Sequence, residues 1–146
     1  MRVTVVTPQG EVLDTDGVDE IVAPGVLGEF GVLPSHIAML AATRAGVLRV
    51  RRGDRRDVFA VGPGLVEVGA EDRVVVLADA CERPLQVDEE GARRDIEEAR
   101  AKLDKWDREM DAEHALLSAK LAWGQARVDA RQLAEEQEPA LSLTRP

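Results

Sequence analysis

The chain has 146 residues and a formal net charge of -9, which fits one or two small domains and excludes a large enzyme with a separate cofactor domain. The basic residues are mixed among acids and only 3% of residues are aromatic, so nucleic-acid binding is not expected. A single cysteine, Cys81, excludes an intramolecular disulfide and is predicted to be a small buried side chain rather than a reactive thiol.

Short β-branched runs separated by turn residues fill the first half of the chain. They predict strands at residues 3–6, 12–13, 18–23, 47–50, 58–61, 65–68 and 74–77. This regular spacing is typical of an antiparallel sandwich or barrel. Alternation of apolar and polar residues in several runs predicts that most strands have one face in solvent.

Residues 28–36 interrupt this pattern with two glycines, a proline and a histidine. Because a glycine inside a strand usually marks a bulge or a close backbone approach, the two glycines are expected to flank a distorted edge segment that exposes Glu29. Ser35 and His36 follow in a turn. They do not predict a catalytic pair, since no nucleophile-elbow glycines surround the serine.

Residues 88–138 are helical in character, since they contain no proline and two glycines. Asp88 is the candidate N-cap, and the acids after it suit the positive end of a helix dipole. Apolar residues then follow one narrow seam, formed by Ala92, Ile96, Ala99, Leu103, Trp106 and Met110. Two further stripes are formed by Leu117, Leu121, Gly124 and Val128, and by Leu116, Ala119, Trp123, Ala126, Ala130 and Leu133.

Whether this region is one helix or two is left open by the residues themselves, because nothing between positions 92 and 123 breaks a helix. Asp107 and Asp111 are possible caps within a polar stretch. Trp106 and Trp123 are predicted to pack inside the helical region, and contact with a partner is the alternative for one of them.

Sites for catalysis and cofactors are not recognisable. The chain has no Gly-Lys pair, which excludes a P-loop nucleotide hydrolase. His36 and His114 lie in different halves, so neither a metal site nor a cofactor is predicted. No signal peptide is evident, and the apolar runs are far shorter than the ~20 residues that span a bilayer, so membrane association is expected only through another protein.

Three motifs stand in order along the chain. The first is GEFGVLPSH at 28–36, preceded by VVTP and followed by AGVLR; the second is GPGLVEV at 62–68 and the third VLADACE at 76–82. Their order and spacing resemble the epsilon subunit of bacterial F-type ATP synthases, over roughly residues 3–135. The resemblance implies an α+β fold, with a flattened antiparallel β-sandwich followed by a two-helix antiparallel hairpin that turns near residues 107–111.

The domain division implied by this resemblance is a β-sandwich at residues 1–86, a regulatory hairpin at 87–138 and a loose tail at 139–146. The implied function is that of a non-catalytic central-stalk subunit between the gamma subunit and the c ring, at the cytoplasmic face of the bacterial plasma membrane. A free-standing β-sandwich adaptor or small-ligand-binding module is the alternative.

The resemblance also implies partner contacts in the first motif, at Glu29, Phe30, Gly31, Val32 and His36. Glu29 falls where the family has an acidic contact toward the c ring, and His36 falls in the segment that lies against gamma. The alternative for Glu29 is an exposed edge charge that discourages strand pairing.

The hairpin of this family folds against the sandwich or extends into the catalytic alpha/beta head, where it blocks ATP hydrolysis. Such a two-state element is biased by a few kcal/mol. In the extended state, Lys120, Arg127 and Arg131 would present positive charge to the head. The alternative is that these bases balance neighbouring acids on a solvated face.

Some family members bind ATP through an Ile/Leu-Asp-x-x-Arg-Ala motif in the first helix. The corresponding residues here are Val87, Asp88, Gly91 and Ala92. The motif is degenerate because glycine replaces its arginine. The family's further basic positions fall at Glu98, Leu121 and Gln125. Weak or no ATP binding is expected, since phosphate recognition depends on arginine forks.

Overall fold

The structure is a computed structural model that describes residues 1–137. The predicted tail, residues 139–146, lies outside the described residues. The strands are β1 (Arg2–Thr7), β2 (Gly10–Thr15), β3 (Glu20–Gly25), β4 (Gly28–Val32), β5 (Met39–Thr43), β6 (Gly46–Arg52), β7 (Arg55–Val61), β8 (Gly64–Val68), β9 (Arg73–Ala78) and β10 (Cys81–Glu82). A 3-10 turn (Pro84–Gln86) leads to α1 (Glu89–Asp104) and α2 (Ala112–Gln137).

The strands form a sandwich of two layers. One layer has the order β10-β7-β6-β3 with β4 beside β3, and the other has the order β5-β8-β9-β1-β2. The layers meet at a corner where Gly25 of β3 pairs with Thr43 of β5. The predicted sandwich is confirmed, although β1 and β9 pair in parallel, with Val3 opposite Val74.

The main core lies between the layers and consists of inward side chains at every second strand position. In β6, for example, Leu48 and Val50 are buried while Val47 and Arg49 are only half-buried. This is the period of two that was predicted for half-buried strands. The largest fully buried side chains are those of Phe59, Ile21, Leu48, Val3, Val5, Val18 and Val32.

β7 departs from the prediction of one solvated face, because α2 packs across its outer side. Phe59 belongs to the core between the layers, whereas Val58 and Ala60 pack with Ala130 and Trp123 of α2. The prediction that Trp123 packs inside the hairpin is therefore wrong, since its apolar contacts in this cluster are with the sheet. The helix thus closes a second, smaller core against the sandwich.

The helical region is a hairpin, as predicted, with α1 ending at Asp104 and α2 beginning at Ala112. Two predicted caps stabilise it. Asp88 accepts a hydrogen bond from the Gly91 amide at 3.0 Å, and Asp111 accepts one from the His114 amide at 3.1 Å.

The predicted seam joins the two helices over only part of its length. Ala92 and Ile96 of α1 pack against Val128 and Leu121 of α2. Met110, which was predicted to continue the seam, is 80% exposed because it lies in the turn. No helix within residues 1–137 is both long enough and apolar enough to cross a membrane.

Candidate functional site

The β3–β4 hairpin presents the first group of predicted partner residues. Its tip carries Leu27, which is fully exposed and directly precedes Gly28, whose φ is 125°. Only glycine adopts this φ readily. Gly31, in contrast, lies in regular pairing opposite Val22, so the predicted distortion is confined to the turn.

Glu29 is exposed, but it is not a lone charge. Its carboxylate accepts a hydrogen bond from the Arg49 guanidinium of β6 at 2.6 Å. Both side chains are about half exposed, so solvent screens the pair strongly. The side chains of Phe30 and Val32 pack into the core, so Glu29 offers the accessible side chain of this strand.

His36 lies in the turn after β4, half-buried, with Nδ1 2.7 Å from the Ile37 carbonyl oxygen. Ser35 adopts a φ of 66°, and its amide donates to the Asp72 carboxylate at 2.7 Å. These contacts hold the turn.

An apolar surface that was not predicted covers the outer face of the second layer. Cross-strand register places Ala42 beside Leu65, Leu65 beside Leu77, and Leu77 beside Val6. Leu40 lies on the same face of β5 and is 67% exposed. These five residues form the open sheet face. The run 74–77, which is apolar at every position rather than at alternate ones, was the available signal.

The predicted basic residues of α2 turn toward the sandwich. Arg127 Nε lies 3.1 Å from Glu82 Oε2 of β10, and Arg131 Nη1 donates to the Val87 carbonyl at 3.2 Å. The Nε of Arg131 is also 3.2 Å from a Glu89 carboxylate oxygen. These contacts hold α2 against β10 and the start of α1, and we call them the docking latch. The docking latch consists of Arg127, Glu82, Arg131, Val87 and Glu89.

Lys120 joins the two helices instead of facing solvent alone. Its Nζ lies 2.9 Å from Glu98 and 3.5 Å from Asp95 of α1. The hydrogen bond between them lowers the pKa of Glu98 and raises the pKa of Lys120.

The residues of the degenerate ATP motif have structural roles here. Asp88 caps α1, and Val87 and Ala92 are buried. A Cβ at Gly91 would meet the Asp88 carboxylate, so that side chain would have to shift to admit a larger residue there. At the family's other basic positions, Glu98 binds Lys120, Leu121 packs in the seam and Gln125 donates to Asp129.

Other chemistry is sparse in the described part of the chain. No group of three His, Cys, Asp or Glu side chains within residues 1–137 could hold a metal ion. Cys81 is half-buried against the core, and burial raises the pKa of its thiol to about 11.

Known proteins are similar to this chain in sequence and in fold. Residues 1–84 match the family model described as ATP synthase, Delta/Epsilon chain, beta-sandwich domain. The chain is 43% identical over 103 residues to the ATP synthase epsilon chain of Alkalihalophilus pseudofirmus, covering 70% of this chain and 76% of that relative. It is 40% identical over 123 residues to the epsilon chain of Halalkalibacterium halodurans, covering 84% of this chain and 91% of the relative.

Among solved structures, a chain in the Euglena gracilis mitochondrial ATP synthase structure (OSCP/F1/c-ring, rotational state 1) has a similar fold. The TM-score is 0.75 at 22% identity, over 89% of this chain and 79% of that chain.

Proposed function

The chain belongs to the epsilon-subunit family of F-type ATP synthases, and from that membership we propose that it is a non-catalytic subunit of the rotating central stalk. Its sandwich then lies between the gamma subunit and the c ring and transmits rotation, at the cytoplasmic face of the bacterial plasma membrane. The supporting observation is an asymmetry of the sandwich. The hairpin covers one outer face, while the open sheet face is apolar and uncovered by any residue within 1–137.

Gamma is the proposed occupant of the open sheet face. Leu65 and Leu77 are cross-strand neighbours, and their side chains are 39% and 42% exposed, respectively. Such an exposed apolar pair suits burial against a second protein. His36 shortly precedes β5, whose Leu40 belongs to this face. We add His36 to the proposed gamma contact because the family resemblance implies it.

The c ring is the proposed partner of the β3–β4 hairpin. Val26, Leu27 and Glu29 are its accessible side chains, two apolar and one acidic. The screened pair between Glu29 and Arg49 is weak enough to be exchanged for a partner contact.

Inhibition of ATP hydrolysis is proposed to require release of the hairpin. In the docked state Arg127 and Arg131 are occupied by the latch, so they become available to the alpha/beta head only when α2 leaves the sheet. The docked and extended states then compete for the same two arginines.

The test is a pull-down and affinity measurement with purified gamma. The double variant Leu65→Asn/Leu77→Asn should weaken binding by at least about tenfold, since two partly buried leucines lose apolar contact. Leu85→Asn is the matched control, because Leu85 is 90% exposed but lies in the 3-10 turn, away from the open sheet face. Unchanged gamma binding by the double variant would refute the proposed gamma surface.

A free-standing adaptor is distinguished by copurification. A central-stalk subunit is recovered from membranes together with gamma and the c ring. An adaptor is recovered without them.

A further inference from the structure

Two turns meet at the end of the sandwich where β5 begins. The first is the β4–β5 connection, residues 33–38, and the second is the β8–β9 turn, residues 69–72. The Ser35 amide of the first donates a hydrogen bond to Asp72 Oδ1 of the second at 2.7 Å. These two residues are 37 positions apart in the chain, so the bond fixes one turn relative to the other.

Both turns have a strained backbone. Ser35, Glu71 and Asp72 have φ values of 66°, 60° and 59°. No other non-glycine residue within the described range 1–137 has a positive φ. A side chain disfavours this left-handed region, and such residues persist only where their surroundings hold them. The backbone strain of the sandwich is therefore concentrated at this one pair of turns.

The β4–β5 connection presents exposed apolar side chains. Leu33 and Ile37, on either side of His36 in the sequence, are 53% and 79% exposed. The His36 amide donates to the Leu33 carbonyl at 3.2 Å, which tightens the connection without anchoring it to the sheet. Leu40 of the open sheet face follows Ile37 by three positions. The connection thus continues the apolar surface of that face.

We propose that Asp72 is a positioning residue for the gamma contact. By holding the Ser35 amide, its carboxylate keeps the β4–β5 connection in the conformation that presents Leu33 and Ile37 next to the open sheet face. A connection that is ordered before binding avoids the entropy cost of ordering it in the complex. This inference rests on the proposed function, because it takes gamma as the partner of the open sheet face.

The Asp72 carboxylate also has a second contact, which two variants separate from the first. Its Oδ2 lies 3.6 Å from the buried amino nitrogen of Met1. Asp72→Asn keeps an acceptor for the Ser35 amide but loses the charge opposite Met1, whereas Asp72→Ala loses both. Positioning through Ser35 therefore predicts that asparagine rescues binding and alanine does not.

The experiment measures the affinity of the full chain for purified gamma, well below the unfolding midpoint of every variant. Asp72→Ala should lower the affinity about tenfold through loss of a charge-assisted hydrogen bond, and Asp72→Asn should lower it less than about threefold. Glu71→Ala is the matched control, since Glu71 has nearly the same φ but contacts Arg73 instead of Ser35. It should change the affinity less than about twofold, because its ion pair is exposed.

A double-mutant cycle tests whether Asp72 acts through the connection. Ile37→Asn removes an apolar contact of the connection, so adding Asp72→Ala to it should cost much less affinity than Asp72→Ala costs alone. Amide exchange at Ser35 in the free chain should also be faster in Asp72→Ala than in Glu71→Ala.

Equal losses of affinity in Asp72→Ala and Asp72→Asn, or in Asp72→Ala and Glu71→Ala, would overturn the proposal. A lowered Tm with unchanged gamma affinity in Asp72→Ala would also overturn it, because Asp72 would then serve only the stability of the sandwich. If the parent chain does not bind gamma, the proposed function fails and this inference fails with it.

Discussion

Arg127 of α2 and Glu82 of β10, 45 residues apart in the chain, form an ion pair with 3.1 Å between Nε and Oε2. Their side chains are 14% and 29% exposed, so solvent screens the pair less than an exposed one. Removal of one partner leaves the other charge half-buried without compensation. The pair connects the hairpin directly to the sandwich. Its loss should therefore lower the fraction of molecules in which α2 is docked on the sheet.

Glu82→Gln should weaken hairpin docking by about 1–3 kcal/mol, because Arg127 loses its carboxylate. Distances between spin labels on α2 and on β7 measure the docked fraction. Arg108→Gln is the control, since Arg108 pairs with Asp111 inside the exposed turn. An undiminished docked fraction in Glu82→Gln would show that apolar packing alone holds the helix.

In the assembled complex, deletion from Asp88 onward should raise ATP hydrolysis and still permit assembly, because the inhibitory hairpin is gone. Glu82→Gln should act in the opposite direction, since it releases the hairpin but keeps both arginines. Reversing the charge at Arg127 and Arg131 should give a smaller rise than the deletion. Steady-state hydrolysis rates check all three variants, and equal rates in the deletion and the parent would contradict inhibition.

Gly124→Val should destabilise the contact between α1 and α2. A Cβ at Gly124 would lie 2.9 Å from Ile96 Cγ1 and 3.1 Å from the Ala92 carbonyl oxygen. The expected cost is about 1–3 kcal/mol of overpacking. Ala119→Val, at an exposed position of the same helix, controls for the β-branched side chain. Amide exchange in α1 reports the effect, and equal exchange in both variants would argue against a close approach.

The contact between α1 and α2 should weaken at both ends of the pH scale. Because the folded pKa of Glu98 is lowered, its contribution is present above its unfolded value of about 4.3 and is lost as pH falls through the folded pKa. Because the pKa of Lys120 is raised, its contribution is present below about 10.4 and is lost as pH rises through the folded pKa. Thermal unfolding across pH checks this. Glu98→Gln should flatten the acid limb, whereas Glu97→Gln should leave it unchanged.

Cys81 should react slowly with thiol reagents. With its pKa raised to about 11, roughly a thousandth of the thiol is ionised at pH 8. Alkylation of the folded protein should therefore be much slower than alkylation in denaturant. Similar rates in both conditions would mean that the thiol is not held in a desolvated site.

Periodicity predicted most of the strands and the helical segments, because each is encoded by neighbouring residues. β5 (Met39–Thr43) was missed because alanines occupy its centre and carry little β propensity. The two stripes of α2 were visible, but which of them faces α1 and which faces the sheet depends on how the hairpin docks. Nothing local could reveal that Arg127 meets Glu82, since that contact exists only after docking. The domain boundaries and partner residues stay predictions.

The double burial of β7 restricts where the hairpin can open. When α2 leaves the sheet, the side chains of Val58 and Ala60 become exposed to water. That exposure of apolar surface is unfavourable. An isolated copy has nothing with which to compensate the loss, so we expect it to remain closed. Inhibition would then be confined to assembled complexes, in which a neighbouring subunit can accept the displaced helix. Unassembled copies would keep the hairpin docked.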